Sequence, residues 1–226
     1  MSSSAIQSYT TSRLLDLNFT MAKELLEQYE YPWEVLPLIG PFILSIGSGL
    51  PPEEYDNTGD NVWISKTAKI ASSATIVGPT IIGHDAEIRP GAYIRGNAIV
   101  GEKAVVGNST ELKNVILFTG VQVPHYNYVG DSILGYRSHM GAGAITSNVK
   151  SDKGLVVLKF SDARVETGLK KFGAILGDGV EVGCNAVLNP GTVIGKDSVV
   201  YPLSMVRGIL PARSIHKNTG IIIERN

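Results

Sequence analysis

From residue 64 onward the chain places a branched aliphatic at every sixth position: Ile64, Ile70, Ile76, Ile82, Ile88, Ile94, Val100, Val106 and Leu112. Four residues after each lead comes a small side chain, Ala68, Ala74, Thr80, Ala86, Ala92, Ala98, Ala104 and Thr110, until Ile116 ends the series. The rhythm resumes at Leu176, Val182, Leu188, Ile194, Val200 and Val206. A period of six fits neither the 3.6 of a helix nor the alternation of a plain hairpin strand. It predicts an all-β solenoid, a parallel β-helix of hexapeptide repeats, in which each hexad forms one side of a triangular coil. The leads point inward and stack on their equivalents about 4.8 Å away in the next coil. The small residues fill the corners, and glycines supply turns with positive φ.

Two stretches depart from the rhythm. Residues 113–150 keep it loosely, with Val123, Val129, Leu134 and Met140 as leads and slips between them. Residues 151–172 lose it, which predicts an excursion from the coil with a short strand at LVVLKF. Long excursions of this kind often carry function. The first 60 residues differ in kind. LLDLNFTMAKELLEQYE has helical character, and Pro32 suits the first turn of a second helix reaching about Leu44. A turn-rich linker, GSGLPPEEYDNTGD, follows. The expected organisation is an N-terminal helical cap and linker at 1–60, the solenoid at 61–212, and a C-terminal tail at 213–226. The cap is expected over the open end of the solenoid, where strand edges would otherwise stay unpaired.

Composition narrows the partners. Twenty Lys and Arg against 21 Asp and Glu leave a net charge of −1, unlike the basic footprint of a nucleic-acid binder. No apolar run reaches the length of a membrane span, and MSSSAIQSYTT lacks the charged and apolar regions of a signal peptide. The single cysteine, Cys184, excludes an internal disulfide and suits a cytoplasmic setting. Neither nucleic acid nor membrane is an expected partner.

Against this background VPHYNYVGDS at 123–132 stands out, because a histidine and two tyrosines interrupt an aliphatic rhythm. Together with RPGAYIRGNAIVGEKAVVGNSTELKN and HMGAGAITSN, it resembles the left-handed β-helix acetyltransferase domain of bifunctional glucosamine-1-phosphate acetyltransferase/uridylyltransferases. The archaeal-type sugar-1-phosphate nucleotidylyltransferase/acetyltransferases are most similar, also through VETGLKKFGAILGDGVEVGCNAVLNPGTVIG. The likeness covers about residues 62–206. The glycine-rich loop and Rossmann-like domain of the nucleotidylyltransferase half have no counterpart, so no uridylyltransferase activity is expected.

The resemblance implies a left-handed coil, a homotrimer with sites in grooves between subunits, and acetyl transfer from acetyl-coenzyme A to an amino-sugar phosphate or nucleotide sugar. No metal is implied. His125 matches the general base, a role suited to histidine. Asn148 matches an asparagine at the reacting centre and is expected, with backbone N–H groups, to stabilise the tetrahedral intermediate. Arg89 and Lys113 match the cations that hold the sugar phosphate, and Tyr128 matches a tyrosine that contacts substrate. Ala142 matches a backbone position near the thioester or the pantetheine arm. His139 stands where the bacterial family has a sugar-contacting asparagine. Cys184 stands where it has a small polar residue near coenzyme A, although its own chemistry reads as a buried packing thiol. Lys170 and Lys171, with Arg164 nearby, are placed to meet phosphates or to form a solvated basic loop.

Two other readings use the same residues. A solenoid that has lost turnover would still bind a sugar nucleotide or a protein partner. A zinc enzyme of the carbonic anhydrase type would need three histidine ligands from His84, His125, His139 and His216, and no third falls at a helpful spacing.

Overall fold

A computed structural model describes residues 5–225. Residues 1–4 of the expected cap region and residue 226 of the expected tail lie outside the described residues. The chain is a parallel β-helix with three sides. Side one stacks Val62–Ser65, Thr80–Ile82, Ala98–Val100, residues 115–117 and 132–134, Ala174–Leu176, Thr192–Ile194 and Ile209–Leu210. Side two stacks Lys69–Ile70, Glu87–Ile88, Val105–Asn108, Gln122–His125, His139–Met140, Glu181–Val182, Val199–Val200 and Ser214–His216. Side three stacks Thr75–Ile76, Tyr93–Ile94, residues 111–112 and 128–129, Ile145–Thr146, Val187–Leu188 and Met205–Val206. The inward leads Ile82, Ile88, Ile94, Val100, Val106 and Leu112 are all but closed to solvent. Burying each contributes roughly 1.5–3 kcal/mol.

The slips have a structural cause. Ile94 pairs with Leu112, 18 residues on, whereas Ala98 pairs with Val115, only 17 on. The corner between sides three and one therefore loses one residue at Asn114. It does so again at Asp131, so the next side-one leads are Leu117 and Leu134. Asn114 and Asp131 make these tight corners at φ 56° and 49°. Asn and Asp tolerate that left-handed region better than other side chains.

The N-terminal region does not close the end of the solenoid as expected. It runs along side one. That side carries an apolar column on its outer surface, Trp63, Ile81, Ile99, Ile116, Ile133, Ile175 and Val193, which the strand pairing aligns. All are buried. Helix Ile39–Gly47 packs on the first coils of this column, and the 3-10 segment Pro32–Leu38 packs lower, on residues 128–134. Further down, Phe19 accepts a backbone bond from Thr119, and Leu14 accepts one from Asp178. A continuous apolar wall needs a cover more than a coil end does, and this segment is long enough to supply it. Its helices are shorter than expected. Helices Thr11–Leu14 and Lys23–Leu26 flank a 3-10 turn, Leu17–Phe19. Asp16 accepts from the Asn18 N–H, and Thr20 Oγ1 accepts from the Ala22 N–H, local bonds that compete with helix.

Antiparallel strands protect ladder ends instead. Tyr55–Asn57 pairs with Val62–Ser65 on side one. Ile222–Glu224 pairs with Ser214–His216, so residues 213–225 continue the sheet of side two. The excursion is a hairpin, Val157–Lys159 with Arg164–Glu166. It is pinned by buried Val156 and Leu158, and by Tyr9 against Phe160 at 5.6 Å between ring centroids.

Candidate functional site

The two tight corners between sides three and one carry a connected polar cluster. Lys113 Nζ donates to Asp131 Oδ1 at 2.9 Å, and Asn114 Nδ2 donates to the same oxygen at 3.1 Å. Asn148 Nδ2 donates to Asp131 Oδ2 at 2.5 Å and to Tyr128 Oη at 3.2 Å. The Asp131 side chain is 5% exposed and that of Lys113 is 24% exposed. A charge so enclosed holds its partners firmly, because removing one would leave it uncompensated. Gly130 makes room for the arrangement. A Cβ there would lie 2.6 Å from Tyr128 Oη and 2.9 Å from Asn148 Nδ2. Burial raises the Tyr128 pKa above 10.0, and the Asn148 bond only partly opposes this, so the phenol stays protonated.

Three of the residues expected at the site, Lys113, Tyr128 and Asn148, thus come together. Asp131, which organises them, was not among the expected candidates. The signal for it was the slip in the hexad rhythm between Val129 and Leu134. The geometry also changes what Asn148 can do. Both N–H groups of its amide are already donated, so Oδ1 is the atom left for a ligand. That atom accepts a hydrogen bond and cannot stabilise an oxyanion.

The corner between sides two and three carries a different set. The Tyr126 N–H bonds Asn108 O, the Gly143 N–H bonds His125 O, the Asn185 N–H bonds Ala142 O, and the Leu203 N–H bonds Cys184 O, all at 2.9–3.0 Å. Asn108, His125, Ala142 and Cys184 therefore stack in one column on successive coils. His125 is exposed, and its ring has no hydrogen-bond or ionic partner among the described residues. Buried Asn127 fixes this corner. It accepts from the His125 N–H at 3.1 Å and donates to Gly141 O at 2.8 Å and Ala144 O at 3.0 Å. The Ala142 N–H, one coil below His125, has no partner among the described residues. Cys184 is exposed, contrary to the reading as a packing thiol, because its corner position points away from the core.

The remaining candidates lie apart from both groups. Arg89 sits two coils above His125, at the same edge, and pairs with Glu87 at 3.0 Å. His139 Nδ1 pairs with Glu181 Oε2 at 2.8 Å on side two. That pair borders a cleft of roughly 820 Å³ with Phe19, Lys103 and Arg137. Lys170 and Lys171 are exposed and make no side-chain hydrogen bond or ion pair among the described residues. Arg164 of that basic group lines a second cleft. His125 and the Asp131 cluster flank side three from opposite edges. Six residue steps, from 125 to 131, separate them within one chain, a span of at most roughly 20 Å.

Residues 76–223 match the family described as GMPPB C-terminal domain. The chain belongs to that family. A relative in Methanococcus vannielii named Bifunctional protein GlmU is 35% identical over 198 residues, 86% of this chain and 47% of that protein. One in Sulfurisphaera tokodaii, named Bifunctional sugar-1-phosphate nucleotidylyltransferase/acetyltransferase, is 36% identical over 65% of this chain and 41% of its own length. The chain spans about half the length of the curated relatives it matches. Among solved structures, a hexapeptide transferase family protein from Anaplasma phagocytophilum has a TM-score of 0.42 at 18% identity, covering 73% of this chain and 80% of that one. Among the described residues of this GMPPB C-terminal domain family member, no group of three or more His, Cys, Asp or Glu side chains is placed to hold a metal, and no helix is long and apolar enough to cross a membrane.

Proposed function

We propose that the chain is a coenzyme A-dependent N-acetyltransferase acting on an amino-sugar phosphate or nucleotide sugar. The observation that carries this reading is the corner column: an unengaged imidazole at His125 above a free N–H at Ala142, with only the small Cys184 side chain below. A thioester laid along this column would have its carbonyl oxygen polarised by the Ala142 N–H. His125 would take the proton as the substrate amine attacks, and the tetrahedral intermediate would collapse to an amide and the coenzyme A thiol. The name of the Sulfurisphaera tokodaii relative, which pairs a sugar-1-phosphate nucleotidylyltransferase with an acetyltransferase, supports the same class.

On the opposite corner, Lys113 would hold the acceptor phosphate, and Tyr128 would contact the sugar. Asn148 Oδ1 would accept a hydrogen bond from the attacking amine and so orient it. One chain keeps these groups and His125 on opposite edges of side three. A second copy packed on that side would bring one edge against the other. Side three suits such packing. Its outer column, Thr75, Tyr93, Glu111, Tyr128, Ile145, Val187 and Met205, is apolar or aromatic at five of seven positions, and Tyr93 and Met205 are 41% and 65% exposed. The proposed assembly is a homotrimer with sites shared between copies.

The test is acetyl transfer from acetyl-coenzyme A to glucosamine-1-phosphate and to related amino-sugar phosphates. His125→Ala should lower kcat by roughly 10²–10⁴ with its melting temperature unchanged. A loss under about threefold would remove His125 as the base.

A further inference from the structure

The excursion hairpin and two successive corner turns enclose a second cleft, of roughly 810 Å³, on the edge that carries Asn148. Lys150, Lys159, Arg164 and Arg207 line it, with Ser147 and Asn189 as neutral polar groups. Its charge is one-sided. Asp152, its one acidic lining residue, is taken by Lys150 at 3.0 Å. Lys159, Arg164 and Arg207 form no ion pair among the described residues. Glu166 lies two positions from Arg164 on the same strand, outside the cleft lining, and pairs with neither cation. Lys159 and Arg164 also stand directly opposite each other in the hairpin. Like charges at opposed positions weaken a two-stranded ladder. The cost is relieved when an anion lies between them.

We propose that this cleft binds the diphosphate of a nucleotide. Cations reach it from two walls, the hairpin and the corner turn at Arg207, which suits a group with more than one charged oxygen. Two of the three unpaired cations are arginines, whose planar forks match phosphate. The volume is that of a small-molecule site. Direction matters as well. Ser147 adjoins Asn148, and the cleft runs from there past Asn189 to Arg207, two further coils, or about 10 Å. A ligand seated in it has its other end beside Asn148. Coenzyme A and a nucleotide-sugar acceptor both carry a diphosphate and both fit that placement. Only the choice between them rests on the transferase reading.

The test is calorimetric titration of the full chain with inorganic diphosphate. The wild type should bind saturably. Lys159→Glu places an acid opposite Arg164, which should raise the melting temperature of the protein while raising the Kd for diphosphate at least about tenfold. Arg207→Gln should weaken diphosphate to a similar degree. Equal affinity in wild type and both variants, or no saturable binding, would overturn the proposal. Titrations with acetyl-coenzyme A and with UDP-N-acetylglucosamine then identify the source as the ligand that both variants weaken. If the variants lose diphosphate but keep both nucleotides, the cleft stands as a diphosphate site outside the proposed reaction. If acetyl transfer is absent while diphosphate binds, the cleft stands and the transferase reading falls.

Discussion

Sides one and three of the coil obey the same inward rule and differ in what they show outward. On side one the outer column is Trp63, Ile81, Ile99, Ile116, Ile133 and Ile175, and the chain covers it with segments drawn from residues 5–47. On side three the outer column mixes tyrosine, Glu111, isoleucine, valine and methionine, and no helix or strand among the described residues packs over it. The inward leads specify the coil. The outward column decides which partner each side takes, an intramolecular cover in one case and, in the proposed assembly, another copy in the other.

Substitutions at equivalent outward positions test that difference. Ile99→Lys on side one buries a charge under helix Ile39–Gly47 and should cost more than about 4 kcal/mol, enough to leave little folded protein in a denaturant titration. Asp131→Asn, at the corner where the two sides meet, removes the charge that Lys113 and Asn148 share. It should cost about 2 kcal/mol, less than a fully buried pair because Lys113 is partly exposed. In the same variant, the KM for an amino-sugar phosphate should rise as Lys113 and Asn148 lose their anchor. His216 perturbs the inward rule itself, since it occupies a lead position in the last coil with Nδ1 buried and unpartnered. Burial lowers its pKa from 6.5, so the folded chain resists protonation that the unfolded chain accepts. Stability is full above pH 6.5 and should fall as pH drops below it. His216→Leu should flatten that pH dependence and add about 1 kcal/mol, read from melting curves at pH 5 and pH 8. Met205→Lys on side three should change the stability of the separated chain by no more than about 0.5 kcal/mol. It should nonetheless dissociate the assembly in sedimentation velocity. An unaltered sedimentation coefficient would place the contact elsewhere.

The hexad period made the coil legible, because a lead that stacks on itself in every turn leaves a mark in each repeat. Its slips were visible as well, but their meaning was not. Loss of one residue after Leu112 and again after Val129 gives the tight corners that bring Lys113, Asp131 and Asn148 together. Spacing along the chain does not reveal which side chains will meet across coils. His125, Ala142 and Cys184 stack in one column although 59 residues separate the first from the last. The role of the N-terminal region was also hidden. Sequence shows an apolar segment, whereas the wall that needs it is assembled only when seven distant strands align. The exposure of Cys184 follows from its corner position, which composition does not encode.

The central claim is that each site joins His125 of one copy to Asn148 of another across side three. It is tested most directly by mixing two inactive variants, His125→Ala and Asn148→Ala, after reversible dissociation, and measuring acetyl transfer. Shared sites predict that random mixed trimers recover about a quarter of wild-type turnover, because some interfaces pair two intact residues. If mixed trimers form and turnover stays at the level of the separate variants, His125 and Asn148 do not act across a subunit interface, and the account of side three is wrong.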